Sequence, residues 1–270
     1  MWKTTLLKWT SRMETRSDKS GIGRVARRVG RKVHRLIRKL MAPDGLCLTE
    51  VDGMRMYLRA DTAAFQEYVV RPFEPHTAEL FRRAVRPGAT VVDVGAQFGY
   101  FSLIAAPRVG PRGCVFAFEP EPGNFELLRR SVEMNGLSAI VRTVQKALSD
   151  SDASVEMSVF ATSDSHSIYR HPRARVRGVI TVSCVTLDEF LQGRTVDLIK
   201  MDIEGHEPHA LAGMKQTIER SPGLVLFTEF NPFYLRAAGI ELKEYLEKLR
   251  GLGFSIRLID ESAKRLRPLT

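Results

Sequence analysis

Paired cysteines are missing from this chain of 270 residues: Cys47, Cys114 and Cys184 are its three, far apart and without a CxxC spacing. Neither a disulfide framework nor a cysteine zinc site is supported. Long apolar runs are missing too. No stretch approaches the roughly 18 apolar residues of a membrane-spanning helix, and the Met-Trp-Lys start lacks the apolar core of a secretory signal. A soluble, cytoplasmic body is expected. Acidic residues are scarce in one place only. Residues 1–40 hold 13 Lys/Arg against 2 Asp/Glu and the remainder 28 against 29, so the net charge of +10 sits in an N-terminal arm. The near-neutral remainder lacks the basic face that nucleic-acid binding requires.

Within the arm, Ile22, Val25, Ala26, Val29, Val33, Leu36, Ile37 and Leu40 recur at helical spacing, with Arg24, Arg27, Arg28, Arg31, Lys32, Arg35, Arg38 and Lys39 between them. This pattern predicts a basic amphipathic helix over residues 22–40. It suits an anionic membrane at the inner face of the cell, or docking on the domain; an RNA-contacting arm and a targeting segment are further alternatives. The first 20 residues are expected to be poorly ordered, and removal of residues 1–40 to spare the fold.

Four segments are expected: the arm over 1–45, a hairpin and helix over 46–88, the main domain over 89–262 and a tail over 263–270. The two alternating runs of LCLTEVDGMRMYLR around Asp52-Gly53 predict the hairpin, and Glu74-Pro75 opens a helix that Pro87-Gly88 ends. From Ala89 onward short apolar runs alternate with helical patterns. Thr90–Val94, Cys114–Phe118, Ile140–Val144, Val196–Met201, Gly223–Phe230 and Phe254–Ile259 read as strands. Helices are expected over 100–107, 124–135, 208–220 and 241–250, and Thr186 with Glu189 forms a capping box for a short one. The fold class is therefore α/β, a doubly wound, mostly parallel sheet of Rossmann-like type. Two extended pieces, 153–160 and 179–185, interrupt it.

Where the first strand ends, the chain reads DVGAQFG. Gly95 permits a tight turn and close backbone approach, and Gly99 lets the helix begin under a ligand. The middle glycine of a dinucleotide turn is absent, and Asp93 would repel a pyrophosphate but could order an ammonium group. Glu119 ends the second strand 24 residues after Gly95, placed to accept hydrogen bonds from both hydroxyls of a ribose. Together these residues suit S-adenosylmethionine better than NAD.

At this point the sequence resembles the class I methyltransferases and, more narrowly, the FkbM-type methyltransferases. The narrower resemblance rests on DVGAQFGYFS, FEPEPGNFELLRRSVEMNG, KALSD, VTLDEFL, DLIKMDIEGHEPHALAGM and LFTEFNP, and spans about residues 48–260. Gln97 departs from the asparagine usual in the first motif. The resemblance implies a seven-stranded sheet and methyl transfer from S-adenosylmethionine to a hydroxyl of a sugar, glycolipid or natural-product acceptor. It places Gly95, Ala96 and Gly99 along the methionine part, Glu119 on the ribose with Pro120 and Asn124 nearby, and Ala147 and Leu148 beside the adenine. Asp202 would close the pocket on the acceptor side.

Asp202, Glu204 and His206 follow the fourth strand at alternate positions, and an extended chain would face all three one way. His206 is a candidate general base. A divalent metal is not called for; if one bound, Asp202, Glu204 and Glu229 would be its oxygen ligands. Glu204 and Glu207 also suit the cap of the helix that follows. His166, in a polar loop with Asp164, Tyr169 and His171, is a rival base. Two alternatives stand beside O-methylation: a nucleic-acid methyltransferase using the basic arm, and a binding protein that keeps the fold without catalysis. Against the first, MDIEGHE lacks the Asn/Asp-Pro-Pro-aromatic tetrad of base-amine methylation.

Overall fold

Val91, Val92 and Val94 are β-branched and almost wholly buried, the composition of a strand covered on both faces. In the computed structural model, which describes residues 3–9, 45–60, 68–69, 73–160, 167–169 and 176–269, this strand lies inside a sheet of eight. The predicted helix over 22–40, His166 and His171 lie outside the described residues.

In chain order the elements begin with β1 (Lys3–Trp9), β2 (Leu46–Val51), β3 (Met54–Arg59) and α1 (Pro75–Ala84). The α/β alternation follows as β4 (Thr90–Val94), α2 (Tyr100–Val109), β5 (Cys114–Phe118), α3 (Pro122–Met134) and β6 (Val141–Val144). Then come β7 (Ala147–Leu148), β8 (Ser154–Phe160), β9 (Val176–Val185) and α4 (Leu187–Leu191). The chain closes with β10 (Leu198–Met201), α5 (Glu207–Ala212), α6 (Lys215–Arg220), β11 (Val225–Phe230), α7 (Pro232–Ala237), α8 (Leu242–Gly251), β12 (Phe254–Asp260) and β13 (Arg265–Pro268).

The large sheet runs β13-β12-β1-β11-β10-β4-β5-β6, parallel throughout except for β12 with β13. From β4 the chain winds outward through β5 and β6, then returns to β10 on the other side. The order therefore reverses between β4 and β10, and in such sheets the crevice at the strands' carboxyl ends is where ligands bind. One apolar cluster covers one face with Phe81 of α1 and Phe101, Leu103 and Ile104 of α2; Leu211, Ile218, Tyr245 and Leu249 serve the other. The small hairpin forms as expected. Asp52 and Gly53 both take positive φ, as a two-residue hairpin turn requires. The Asp52 carboxylate pins it to α1 and α2 through Arg82 at 2.7 Å and Arg108 at 3.0 Å.

Three expectations are corrected. Among the described residues the sheet has eight strands, not seven: the six read from the sequence are joined by Lys3–Trp9, a strand rather than a poorly ordered end, and by Arg265–Pro268, read as tail, which pairs with β12. The single helix expected over 208–220 is two. Gly213 interrupts it where an added Cβ would lie 1.9 Å from the Ser149 carbonyl oxygen, and the Asp188 carboxylate accepts the Gln216 and Thr217 N–H groups, starting a second helix. Finally, the first residues are built into the sheet, which weighs against their removal sparing the fold. β1 is hydrogen-bonded to β11 on one side and β12 on the other, six residue pairs along each. Deleting residues 1–9 opens both ladders, and we expect a loss of about 3 kcal/mol, or a fall of roughly 10 °C in melting temperature by circular dichroism. A truncated chain that melts with the intact one would remove β1 from the fold.

Candidate active site

Gly95 leaves β4 with φ +77°, and an added Cβ would sit 2.2 Å from the Asp202 carbonyl oxygen, so this turn and the end of β10 touch backbone to backbone. The N–H groups of Gly95 and Ala96 both donate to the Phe118 carbonyl, at 3.0 and 2.9 Å, tying the turn to the end of β5. The carboxyl ends of β4, β5 and β10 thus converge on one cleft. Its wall holds Asp93, Gly95, Ala96, Gln97, Glu119, Pro120, Asn124, Ala147, Leu148, Asp202, Glu204 and His206, most of the set the sequence nominates. Gly99 stands behind the wall as the N-cap of α2, where an added Cβ would press on Leu128.

Glu119 is almost fully buried, and its two oxygens accept the N–H groups of Gln97 and Glu121, each at 2.9 Å. Burial dominates those bonds and pushes its carboxyl up to about 8. Gln97, left without a role by its sequence, now has one. Its backbone is left-handed at φ +52°, its N–H fixes Glu119, and its Oε1 accepts the Tyr68 hydroxyl at 2.9 Å. Tyr68 in turn packs in an aromatic group with Phe73 and Tyr100. Asp93 is buried and accepts the Ser102 hydroxyl at 2.7 Å; burial raises its carboxyl to about 6.

Lys200 was not singled out in the sequence, although a lysine inside the apolar strand LIKM is itself a signal, since a buried charge needs partners. It pairs in register with Asp93, and its Nζ lies 3.0 Å from Asp202 and 4.9 Å over the Phe101 ring. At the ends of β10 and β11, ligand atoms of Asp202, Glu204 and Glu229 come within 4.8 Å of one another. The chain there is not extended as expected. Glu204 and Gly205 take φ of +51° and +99°, and the turn they make is closed by the buried Glu207, which accepts the Ile203 N–H at 3.0 Å from the first turn of α5, the helix end it was expected to suit. Asp202, Glu204 and His206 nonetheless reach the same cleft. His206 is neutral at physiological pH, because burial lowers it to about 4.

These buried groups set a pH dependence of stability. Asp93, Glu119 and Glu207 all hold their protons to higher pH in the folded chain than in the unfolded one, burial being the largest cause for each. Unfolding therefore releases protons, and stability falls as pH rises toward 8; His206, shifted the other way, opposes this only below about 6.5. The melting temperature at about pH 6.5 is expected to exceed that at about pH 8.5. A flat or rising profile over that window would contradict the burial of these carboxyls.

Residues 93–256 match the family model described as the methyltransferase FkbM domain. The chain belongs to the FkbM methyltransferase family. This FkbM protein is 28% identical over 130 residues to the hexuronic acid methyltransferase AglP of Haloferax volcanii, covering 47% of its own length and 50% of the relative's. It is 26% identical over 158 residues to the methyltransferase sdnD of Sordaria araneosa, covering 47% and 60%. A third relative, the 2-O-methyltransferase NoeI of Sinorhizobium fredii, is 22% identical over 219 residues, covering 73% and 87%. The chain thus spans about half to three-fifths of the first two relatives. Among the described residues of the FkbM protein, no helix is long and apolar enough to cross a membrane.

Proposed function

We propose that this FkbM-family protein transfers a methyl group from S-adenosylmethionine to a hydroxyl oxygen of a sugar, glycolipid or natural-product acceptor. The observation that carries this is the pairing of Glu119 with the Gly95 turn. A carboxylate that has accepted two backbone N–H groups keeps lone pairs for two ribose hydroxyls, and the Gly95 turn beside it lines the same cleft, where an aminoacyl chain would run along the backbone. Ala147 and Leu148 offer an apolar seat for an adenine. Among the described residues the cleft's acidic lining, Asp93, Asp202 and Glu204 against Lys146 and Lys200, suits a cationic ligand.

S-adenosylmethionine, when bound, supplies an electrophilic methyl on a sulfonium. The chain's own residues hold the two reactants in line, which is most of what the reaction needs. Asp202, Glu204 and His206 stand on the acceptor side, where they orient a hydroxyl and take up its proton as the new C–O bond makes that oxygen acidic. A base as weak as His206 suffices for so late a proton transfer. The names of the relatives, a hexuronic acid methyltransferase and a 2-O-methyltransferase, favour a carbohydrate acceptor. Mass spectrometry of glycans, lipids and small metabolites from cells with and without the protein should find one class heavier by a methyl group on oxygen only when it is present. Identical profiles would count against it.

A further inference from the structure

The KALSD segment places Ala147 and Leu148 on the cleft but gives Ser149 and Asp150 no task in the chemistry above. β7 pairs with the end of β9, and the Ser149 N–H donates to the Val185 carbonyl at 3.1 Å, so the serine is fixed by backbone at the rear of the cleft. Its buried hydroxyl lies 3.0 Å from His206 Nε2 and 3.3 Å from Asp150 Oδ1. The other Asp150 oxygen lies 2.9 Å from His209 Nδ1, and the His209 ring stacks on His206 with centroids 4.7 Å apart. His206 itself is 6% exposed, and among the described residues its buried Nδ1 has no hydrogen-bond partner.

Hydrogen counting makes this arrangement directional. An ionised Asp150 only accepts, so the single Ser149 hydrogen points to it, the polarity that a chain of hydrogen bonds ending on a carboxylate favours. Ser149 Oγ is then an acceptor toward His206, whose Nε2 must carry the ring hydrogen. Nδ1 is left with a bare, buried lone pair in a ring that lines the cleft, and a buried acceptor without a donor is the feature that a ligand hydroxyl would satisfy.

We propose that Ser149 and Asp150 are positioning residues that hold His206 as its Nε2–H tautomer, so that Nδ1 accepts the hydrogen of the acceptor hydroxyl. This rests on the O-methylation reading for the identity of the hydroxyl, and on the hydrogen-bond chain alone for the tautomer. The chain spans residues 57 apart in sequence and joins the third and fourth strand ends of the winding through one serine.

Nitrogen-15 NMR of the full chain labelled at histidine tests the tautomer without any ligand. The His206 ring should show a protonated Nε2 and an unprotonated Nδ1, Ser149→Ala should lose that single-tautomer signature, and Ser149→Thr should keep it. A protonated Nδ1 in the unsubstituted protein overturns the proposal. Transfer of labelled methyl onto hexuronic acid glycosides supplies the second readout. Ser149→Ala and His206→Ala should each lower turnover by about 10²-fold with S-adenosylmethionine affinity unchanged, and Ser149→Thr should restore most of it. Full activity in His206→Ala overturns the role of Nδ1. An unsubstituted protein that shows the Nε2–H tautomer but binds no S-adenosylmethionine would sink the O-methylation reading and leave the tautomer assignment standing.

Discussion

Gly95→Ala abolishes S-adenosylmethionine binding and lowers the stability of the whole domain. At φ +77° an alanine costs about 1–2 kcal/mol from backbone strain alone. The larger cost is steric. The new methyl would lie 2.2 Å from the Asp202 carbonyl oxygen, a backbone atom that cannot rotate aside, so the ends of β4 and β10 must part by about an ångström. That movement would break the Asp202 N–H bond to the Val94 carbonyl, now 3.1 Å, and shift the Gly95 and Ala96 amides away from Phe118. We expect a total loss on the order of 3 kcal/mol, visible as a lower melting temperature, and no calorimetric signal with S-adenosylmethionine. Wild-type affinity in this variant would mean that the turn does not touch the ligand.

Glu119→Ala weakens S-adenosylmethionine binding by about 10²- to 10⁴-fold while the protein stays folded. Two hydrogen bonds from ribose hydroxyls to a carboxylate are each worth about 1.5–3 kcal/mol. Substitution also leaves the Gln97 and Glu121 N–H groups without their acceptor, which loosens the turn that Tyr68 and Gln97 brace. A pH dependence distinguishes this role from a structural one. The free protein holds the Glu119 carboxyl protonated up to about pH 8, whereas ribose hydroxyls favour the ionised form. Binding therefore releases a proton, and affinity should rise with pH up to about 8, by at most tenfold per unit. Calorimetry in buffers of different ionisation enthalpy reads that proton directly; no release, or unchanged affinity in Glu119→Ala, would refute the ribose assignment.

The parts of this site legible in the sequence are those whose signal is local. β4 and β5 are short apolar runs ended by a glycine turn and by Glu119, and each such signal fits within a few residues. Asp202 was legible for the same reason, as an acid at a strand tip. What escaped depends on distant partners. Lys3–Trp9 pairs with residues 225–230 and 254–259, and nothing in KTTLLKW, with a lysine near either end, sets it apart from the basic segment that follows. Lys200 reads as an interruption of a strand until Asp93 and Asp202 are seen around it. Gln97 gains its meaning only from Tyr68, and the Ser149 contact with His206 joins two motifs that the sequence shows separately. The break at Gly213 was visible as a glycine, but its cause, the Ser149 carbonyl pressed against it, was not.

Transfer of methyl from S-adenosylmethionine to a hydroxyl oxygen is tested most directly by the fate of the label. Purified full-length protein is incubated with S-adenosylmethionine carrying a tritiated methyl group and with hexuronic acid glycosides and glycolipid extracts. Label is expected in the acceptor fraction as an ether, stable to alkali, and absent with Glu119→Ala. Label released by alkali as from an ester, or recovered only on nitrogen, or no transfer at all, would contradict the account.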